Sequence, residues 1–384
     1  MEKAKENNGT FEDLSLKENL LRGIYSYGFE VPSAIQSKAI PVIKSTKDVI
    51  AQAQSGTGKT GAFVIGSLER VNVEEKATQI IIISPTRELS KQTTEVVGEL
   101  GKYLDISYME VVGGTDIFQC RNDLDKLPQI VIGTPGRILD MINKRSLFTE
   151  KLVSIVFDEA DEILSYGFKD TIYNIVKCIP EKCQICLFSA TMPEEVIELT
   201  NSFMQSPQSI LVKKEALTLE GITQFYINIK VSDWKYEILK DLYDTISISQ
   251  CIIYFNSKNK LNEVYKNLID EDFPVSMIHG ELTTDERKKT MTEFKGGQTR
   301  ILLSTDLLSR GIDIQQLSLV INFDLPRTKE TYIHRIGRSG RYGRKGVAIN
   351  FVTERDLENL DNLKKFYNTK IEEMPQNIVD YLSV

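Results

Sequence analysis

The chain has 384 residues, 41% of them hydrophobic and 26% charged, with a net charge of −7. That length suggests two or three domains of ordinary size, and the acidic balance argues against nucleic-acid binding driven by bulk charge while leaving room for a local basic groove or backbone N–H contacts. No apolar run approaches the ~20 residues of a membrane helix, and the five cysteines, odd in number and set in apolar surroundings, point to a reducing compartment.

The start, residues 1–10, is charged and polar and reads as a short disordered tail, not a signal or transit peptide. Phe11 to Tyr27 has helical spacing, with Leu16, Leu20, Leu21 and Ile24 on one face and Gly28 to stop it. Gly28 to Gln36 follows, then a short helix to Ile43. From there strands and helices alternate. Strand-like runs are Val49 to Ala53, Gln79 to Ser84, Ile106 to Val112, Gln129 to Gly133, Val153 to Phe157, Gln184 to Phe188 and Ser209 to Val212. Near-continuous apolar strands separated by helices imply a parallel sheet covered on both faces. Cys183 and Cys186 have C-x-x-C spacing, but residues three apart on a strand face opposite sides, and no second Cys/His pair matches them.

Residues 213–221, KKEALTLEG, break the pattern and read as a linker. A second alternating series follows, with strands at Thr223 to Ile229, Gln250 to Phe255, Pro274 to Ile278, Thr299 to Ser304, Ser318 to Phe323 and Gly346 to Val352. One helix of this half opens on a capping box, Thr283-x-x-Glu286, and the last helix runs from about Arg355 to Tyr367. The fold class is therefore α/β, two tandem parallel-sheet domains at 11–212 and 222–384, joined by a flexible linker at 213–221.

Ligands of such sheets sit beyond the C-terminal ends of the strands. After the first strand comes Ala53 to Thr60, AQSGTGKT. Gly56 and Gly58 let the backbone fold around a polyphosphate, the helix start adds its positive dipole end, Lys59 reaches the β- and γ-phosphates and the Thr60 hydroxyl can ligate Mg²⁺. Ala53 stands where the general pattern has glycine. A glycine-rich turn between strand and helix is the plain alternative. Val153 to Phe157 ends in Asp158, Glu159, Ala160, Asp161. A carboxylate there suits a nucleotide-bound Mg²⁺, and a second can orient and deprotonate a water attacking the γ-phosphate. An acidic helix start explains these residues equally well until they are coupled to the phosphate loop.

Pro85-Thr86-Arg87-Glu88-Leu89, Gly113-Gly114 and Thr134-Pro135-Gly136-Arg137 each follow a strand. Helix starts with small or hydroxyl residues bind phosphates, and three in one domain can follow one nucleic-acid strand; ordinary turn chemistry explains any single one. Ser189-Ala190-Thr191 offers hydroxyls to link the carboxylate site to its neighbours, or a helix cap. In the second half, His334 to Arg341 holds three arginines, with no acidic residue from Tyr332 to Thr353. Arginines from a separate domain can neutralise a transferring phosphoryl group; a solvated basic loop is the alternative.

Taken in order, these motifs resemble the DEAD-box RNA helicases of superfamily 2, over Phe11 to the C-terminus. Gly28 to Gln36 resembles the family's adenine-reading motif, placed at 9–37 with Phe11 as its upstream aromatic. Within the family, IAQAQSGTGKT, KKEALTLEGITQFYINI, STDLLSRGIDIQQLSLVIN and YIHRIGRSGRYGRKGVAIN are most similar to eukaryotic translation initiation factor 4A. Ser339 and Tyr342 lean toward the exon-junction form of the same subfamily.

The resemblance implies two RecA-like domains and an RNA-stimulated ATPase that binds single-stranded RNA without sequence preference, closes its domains on ATP and RNA and locally strips short duplexes. It implies ATP and Mg²⁺ as cofactors and a monomer with no membrane attachment. Its role would be to prepare mRNA 5′ regions in the cytoplasm beside a scaffold protein of the cap-binding complex and other initiation factors. An ATP-locked RNA clamp, nuclear and of the exon-junction type, is the alternative.

Residue by residue, Phe29, Val31, Gln36, Ser55, Gly56, Thr57, Gly58, Lys59, Thr60 and Gly61 would hold ATP. Asp313 would meet the ribose, and Arg338, Arg341 and Tyr342 would complete that site from the second domain. Thr60 and Asp158 would hold the metal, partly through water, and Glu159 the attacking water. Arg338 and Arg341 would be the arginine fingers. Ser189, Thr191 and His334 would couple the sites. RNA would run over Pro85, Thr86, Arg87, Gly114, Thr134, Gly136 and Arg137, then over Asn256, Arg287 and Thr305. Ser257 stands where the family usually has threonine.

Overall fold

The computed structural model describes residues 9–53, 57–165, 167–211, 222–245, 250–306, 317–337, 346–375 and 378. The chain separates into two compact units, residues 1–212 and 213–384.

The first unit is built on a parallel sheet of β1 (Val49–Gln52), β2 (Ile80–Ile83), β3 (Tyr108–Val111), β4 (Ile130–Gly133), β5 (Ser154–Phe157), β6 (Gln184–Ser189) and β7 (Gln208–Leu211), in the order β3-β4-β2-β5-β6-β1-β7. The register aligns the strand ends that matter. Ile83 stands opposite both Gly133 and Phe157, Phe157 opposite Leu187, and Gln52 opposite Ser189. Both faces are covered, as a run such as Ile80–Ile83 requires. Ile80 and Ile82 join a core under the helices Ala34–Lys44, Lys59–Arg70 and Arg87–Leu100, while Ile81 and Ile83 join one under Pro135–Asn143, Lys169–Val176 and Glu194–Phe203. Cys186 belongs to the first of these cores and Cys183 to the second, on opposite faces of the sheet.

The expected single helix from Phe11 to Tyr27 is broken. A 3-10 turn at Glu12–Leu14 ends on Ser15 in the left-handed region (φ 51°), and an α-helix resumes over Glu18–Ser26. Tertiary bonds override the helical period. The Lys17 N–H donates to Glu69 (2.9 Å) and its ammonium donates to the carbonyls of Leu68 (3.5 Å) and Val71 (2.9 Å), capping the C-terminus of Lys59–Arg70. The break thereby straps the N-terminal segment to the helix that leaves the phosphate loop.

The second unit holds β8 (Ile222–Asn228), β9 (Cys251–Phe255), β10 (Val275–Ile278), β11 (Ile301–Thr305), β12 (Leu319–Asn322), β13 (Gly346–Val352) and β14 (Glu372–Glu373), again parallel, in the order β10-β11-β9-β12-β13-β8-β14. Subtracting seven from each label gives the first order, so the two RecA-like domains share one topology. β14 has no counterpart in the sequence reading. It is two exposed glutamates beside Phe225 and Tyr226, held by Met374 N–H donating to the Tyr226 carbonyl (2.9 Å), too short and too acidic to announce itself. The expected tail (residues 1–8 of it) and the whole expected linker, 213–221, lie outside the described residues.

Candidate active site and nucleic-acid interface

The connection from β1 carries the first half of the site. Ala53 is buried and its N–H donates to the Ser189 carbonyl (3.0 Å). Ser55 and Gly56 lie outside the described residues; Thr57 is exposed. Gly58 caps the helix at φ 97°, a left-handed conformation that favours glycine. A Cβ there would also come 2.8 Å from Gln36 Nε2. The helix begins at Lys59, with Thr60 half-buried behind it.

Gln36 is buried and already committed on both ends of its amide. Its Oε1 accepts from Ser33 N–H (2.9 Å) within a capping box, and its Nε2 donates to the Gly58 carbonyl (3.3 Å). Phe29 packs near-parallel to Phe11 (6.3 Å, 16°) and stands against Gly61. Val31 is 67% exposed. The segment expected to read adenine is thus bonded to the start of the helix that follows β1.

At the end of β5, Asp158 and Glu159 are both buried, and Glu159 is held at φ 49°, a strained conformation for a side chain of its size. Lys59 Nζ sits 2.9 Å from Glu159 Oε2. Burial, reinforced by the Glu159 charge and opposed by Lys59, pushes the Asp158 carboxyl up to about 7. A buried carboxyl short of positive charge beside a loop of phosphate-binding type fits a divalent cation, with the Thr60 hydroxyl as the second oxygen donor.

The fourth position of the acidic run, Asp161, ties this centre to β6. Thr191 Oγ1 donates to Asp161 Oδ2 (2.6 Å), and the Asp161 N–H donates to Ser189 Oγ (3.2 Å). Gln52, which the sequence reading missed, donates from Nε2 to the Ala190 carbonyl (3.2 Å). A glutamine at the end of a strand carries no signal of such a role.

The three expected phosphate-binding turns stand at the ends of β2, β3 and β4, and side chains join them. Pro85 is buried; Thr86 Oγ1 accepts from Leu89 N–H (3.2 Å). Gly114 is left-handed (φ 81°), and a Cβ there would come 2.5 Å from the Arg87 guanidinium. Thr134 donates its N–H to the Val111 carbonyl (3.2 Å), Gly136 is open, and Arg137 donates to Thr115 Oγ1 and the Thr115 carbonyl, both at 3.2 Å. Thr115 is a member of this cluster that the motif spacing did not reveal.

In the second unit, Asn256 follows β9, Thr305 ends β11, and Arg287 donates to the Gly280 carbonyl (2.5 Å). His334 is fully buried in the helix Lys329–Ile336. Asp313, Arg338, Arg341 and Tyr342 lie outside the described residues. Among the described residues no helix is long and apolar enough to cross a membrane.

Comparison with known proteins follows the same lines. Residues 33–199 match the model of the DEAD/DEAH box helicase family, and residues 234–343 match the helicase conserved C-terminal domain. The chain is 54% identical over 368 residues to the ATP-dependent RNA helicase eIF4A of Candida albicans, covering 96% of this chain and 93% of that protein. It is 50% identical over 373 residues to eukaryotic initiation factor 4A of Caenorhabditis elegans, covering 97% and 93%. Among solved structures, S. cerevisiae Dbp5 bound to RNA and ADP BeF3 is similar at a TM-score of 0.90 and 36% identity, covering 97% of each chain.

Proposed function

The chain belongs to the DEAD/DEAH box helicase family, and from there we propose that it is an ATP-dependent RNA helicase of translation initiation that hydrolyses ATP when single-stranded RNA is bound. The observation that carries this is the buried Lys59–Glu159 pair beside Asp158, set at the strand ends of a unit whose neighbouring turns are joined by Arg87 and Arg137.

Without nucleotide, Lys59 neutralises the residue read as the base. ATP offers the ammonium a denser anion, so Lys59 turns to the β- and γ-phosphates and Glu159 is released to take a proton from the attacking water. Asp158 and the Thr60 hydroxyl would hold Mg²⁺, which supplies charge neutralisation on the phosphates. Phe29 and Gln36 select adenine. Arg338 and Arg341 neutralise the transferring phosphoryl group, and Asp313 meets the ribose. Thr191 and Ser189, bonded to Asp161, report the state of the carboxylates to the RNA side. Arg87, Gly114, Thr134, Gly136 and Arg137 grip the RNA backbone through phosphates, which makes binding insensitive to sequence. The names of two relatives, an ATP-dependent RNA helicase eIF4A and a eukaryotic initiation factor 4A, support the translation-initiation role and not the exon-junction clamp; we propose that this role is played in the cytoplasm, beside a scaffold protein and other initiation factors.

Phosphate release measured with and without single-stranded RNA tests the reading. RNA raises turnover, and Glu159→Gln lowers it by about 10²–10⁴-fold while ATP and RNA are still bound. Equal turnover with and without RNA, or a Glu159→Gln variant at the wild-type rate, would overturn it.

A further inference from the structure

The helix Ile117–Leu124 leaves the turn after β3, at the edge of the first sheet. It buries Cys120 and Leu124. Phe118 lies about 200° around the helix from Cys120, so its ring points away from the sheet, and it is 76% exposed. Single exposed apolar residues are common on protein surfaces. What sets this one apart is its surroundings. Three residues before it stands Thr115, which Arg137 grips through its hydroxyl and its carbonyl. Three residues after it, and on the same side of the helix, stands Arg121, also exposed. Arg121 Nε donates to the Ser146 hydroxyl (3.0 Å), a neutral partner that leaves the charge available. The helix start is held in place as well: the Asp116 carboxylate accepts from the Phe118 N–H (2.7 Å) and the Gln119 N–H (3.1 Å).

We propose that the outer face of this helix is a further RNA subsite, where the Phe118 ring stacks on one base and Arg121 meets a neighbouring phosphate. The inference rests on the reading above that Arg87, Gly114 and Arg137 face RNA. The sheet order runs β3-β4-β2. A strand that follows the turns outward from β2 through β4 to β3 therefore leaves the sheet at this edge, and the next surface it meets is the start of Ile117–Leu124. The turns offer only backbone groups, hydroxyls and guanidinium groups, which suit phosphates and leave the bases unheld. An exposed ring beside a cation supplies what the turns lack. Every base has a π-face, so stacking on phenylalanine strengthens binding without selecting a sequence, and the arginine takes the phosphate that comes with the base. The Asp116 charge does not repel that phosphate strongly, because two N–H groups of the first helical turn hold it. The subsite is thus a stacking platform that lengthens the phosphate track by about one nucleotide.

The test uses the full chain with Phe118→Ala, Phe118→Tyr and Arg121→Gln, all at exposed positions that tolerate change. Affinity is read by fluorescence anisotropy of labelled single-stranded RNA with a non-hydrolysable ATP analogue, over a salt series. A fluorescent base analogue, moved one position at a time along the oligonucleotide, reports stacking through quenching. Phe118→Ala is expected to weaken binding by about tenfold, with the salt slope unchanged and the quenching lost at a single position. Phe118→Tyr should restore both. Arg121→Gln should lower the salt slope by about 1. Wild-type protein that quenches no base, or Phe118→Ala with wild-type affinity, would overturn the proposal. So would a ring covered by a second copy of the chain, seen in sedimentation as a dimer that Phe118→Ala abolishes. Wild-type protein that binds no RNA would sink the helicase reading itself; wild type and Phe118→Ala binding RNA alike would sink this inference alone.

Discussion

The two units solve one problem in two ways. In each, the first strand is followed by six residues and then a helix whose first residue is a lysine: β1 ends at Gln52 and the helix starts at Lys59, β8 ends at Asn228 and the helix starts at Lys235. In each, that lysine is buried and reaches a carboxylate just beyond the fifth strand, Lys59 to Glu159 at 2.9 Å and Lys235 to Asp324 at 3.0 Å. The connections differ. In the first unit, 53–58 carries two glycines and closes on a left-handed Gly58; in the second, 229–234 has none and folds as a 3-10 turn at Ser232–Trp234. Lys235 donates in addition to the Phe323 carbonyl (2.7 Å) and sits 5.5 Å from the Phe323 ring centroid, while Asp324 is shared with Asn256. Lys59 has Glu159 as its hydrogen-bond partner among the described residues, with a second carboxyl, Asp158, beside it. A lysine–carboxylate pair on this topology is therefore not in itself a nucleotide site. On the function proposed above, the pair beside the glycine loop and the second carboxyl exchanges when ATP binds, while Lys235, with the Phe323 carbonyl as a further acceptor, stays in place.

Exchanging the two lysines for methionine gives the widest separation. Lys235→Met should lower the stability of the second unit by about 3–5 kcal/mol, the cost of leaving one partner of a buried pair uncompensated, and leave binding of a fluorescent ATP analogue intact. Lys59→Met should abolish that binding. Urea unfolding and nucleotide titration on both variants check this, and equal loss of nucleotide binding would erase the distinction.

The carboxylates sharpen the comparison through pH. Asp158 titrates near 7 in the folded chain, above its ordinary value of 3.8. The folded state therefore holds a proton that the unfolded state has lost, and stability falls as pH rises from about 4 to about 7. Asp158→Asn removes that dependence. In nucleotide-free protein it should melt as wild type does at pH 4 and be more stable at pH 8, by on the order of 1–3 kcal/mol. Asp324→Asn, at a carboxylate that is paired, should instead destabilise at pH 8.

The smallest effect is expected on the RNA track. Arg137→Ala removes one cation from a cluster that Arg87, Gly114 and Thr115 keep in place. Affinity should fall evenly across RNA sequences, with the salt slope reduced by about 1. Anisotropy over a salt series reads both, and a loss confined to one sequence would point to base recognition instead.

Much of this was legible in the chain. Runs such as Ile80–Ile83 between amphipathic segments state a parallel sheet covered on both sides, and glycine, lysine and carboxylate after the right strands state the chemistry. What could not be read were roles created by neighbours distant in sequence. Gln36 reads as an adenine ligand, and the fold also makes it a brace for Gly58. Thr115 and Gln52 are ordinary polar residues until Arg137 and Ala190 arrive. The first helix breaks because Lys17 is needed at the end of another.

The sequence by itself determined the fold class, the family and the residue types at each strand end, because hydrophobic period and local turn chemistry are properties of neighbouring residues. Only the tertiary structure decided that Lys59 meets Glu159, that Lys235 meets the Phe323 carbonyl as well as Asp324, and that Arg335 binds three strand ends together. Those are properties of distance and burial, which the order of residues along the chain does not contain.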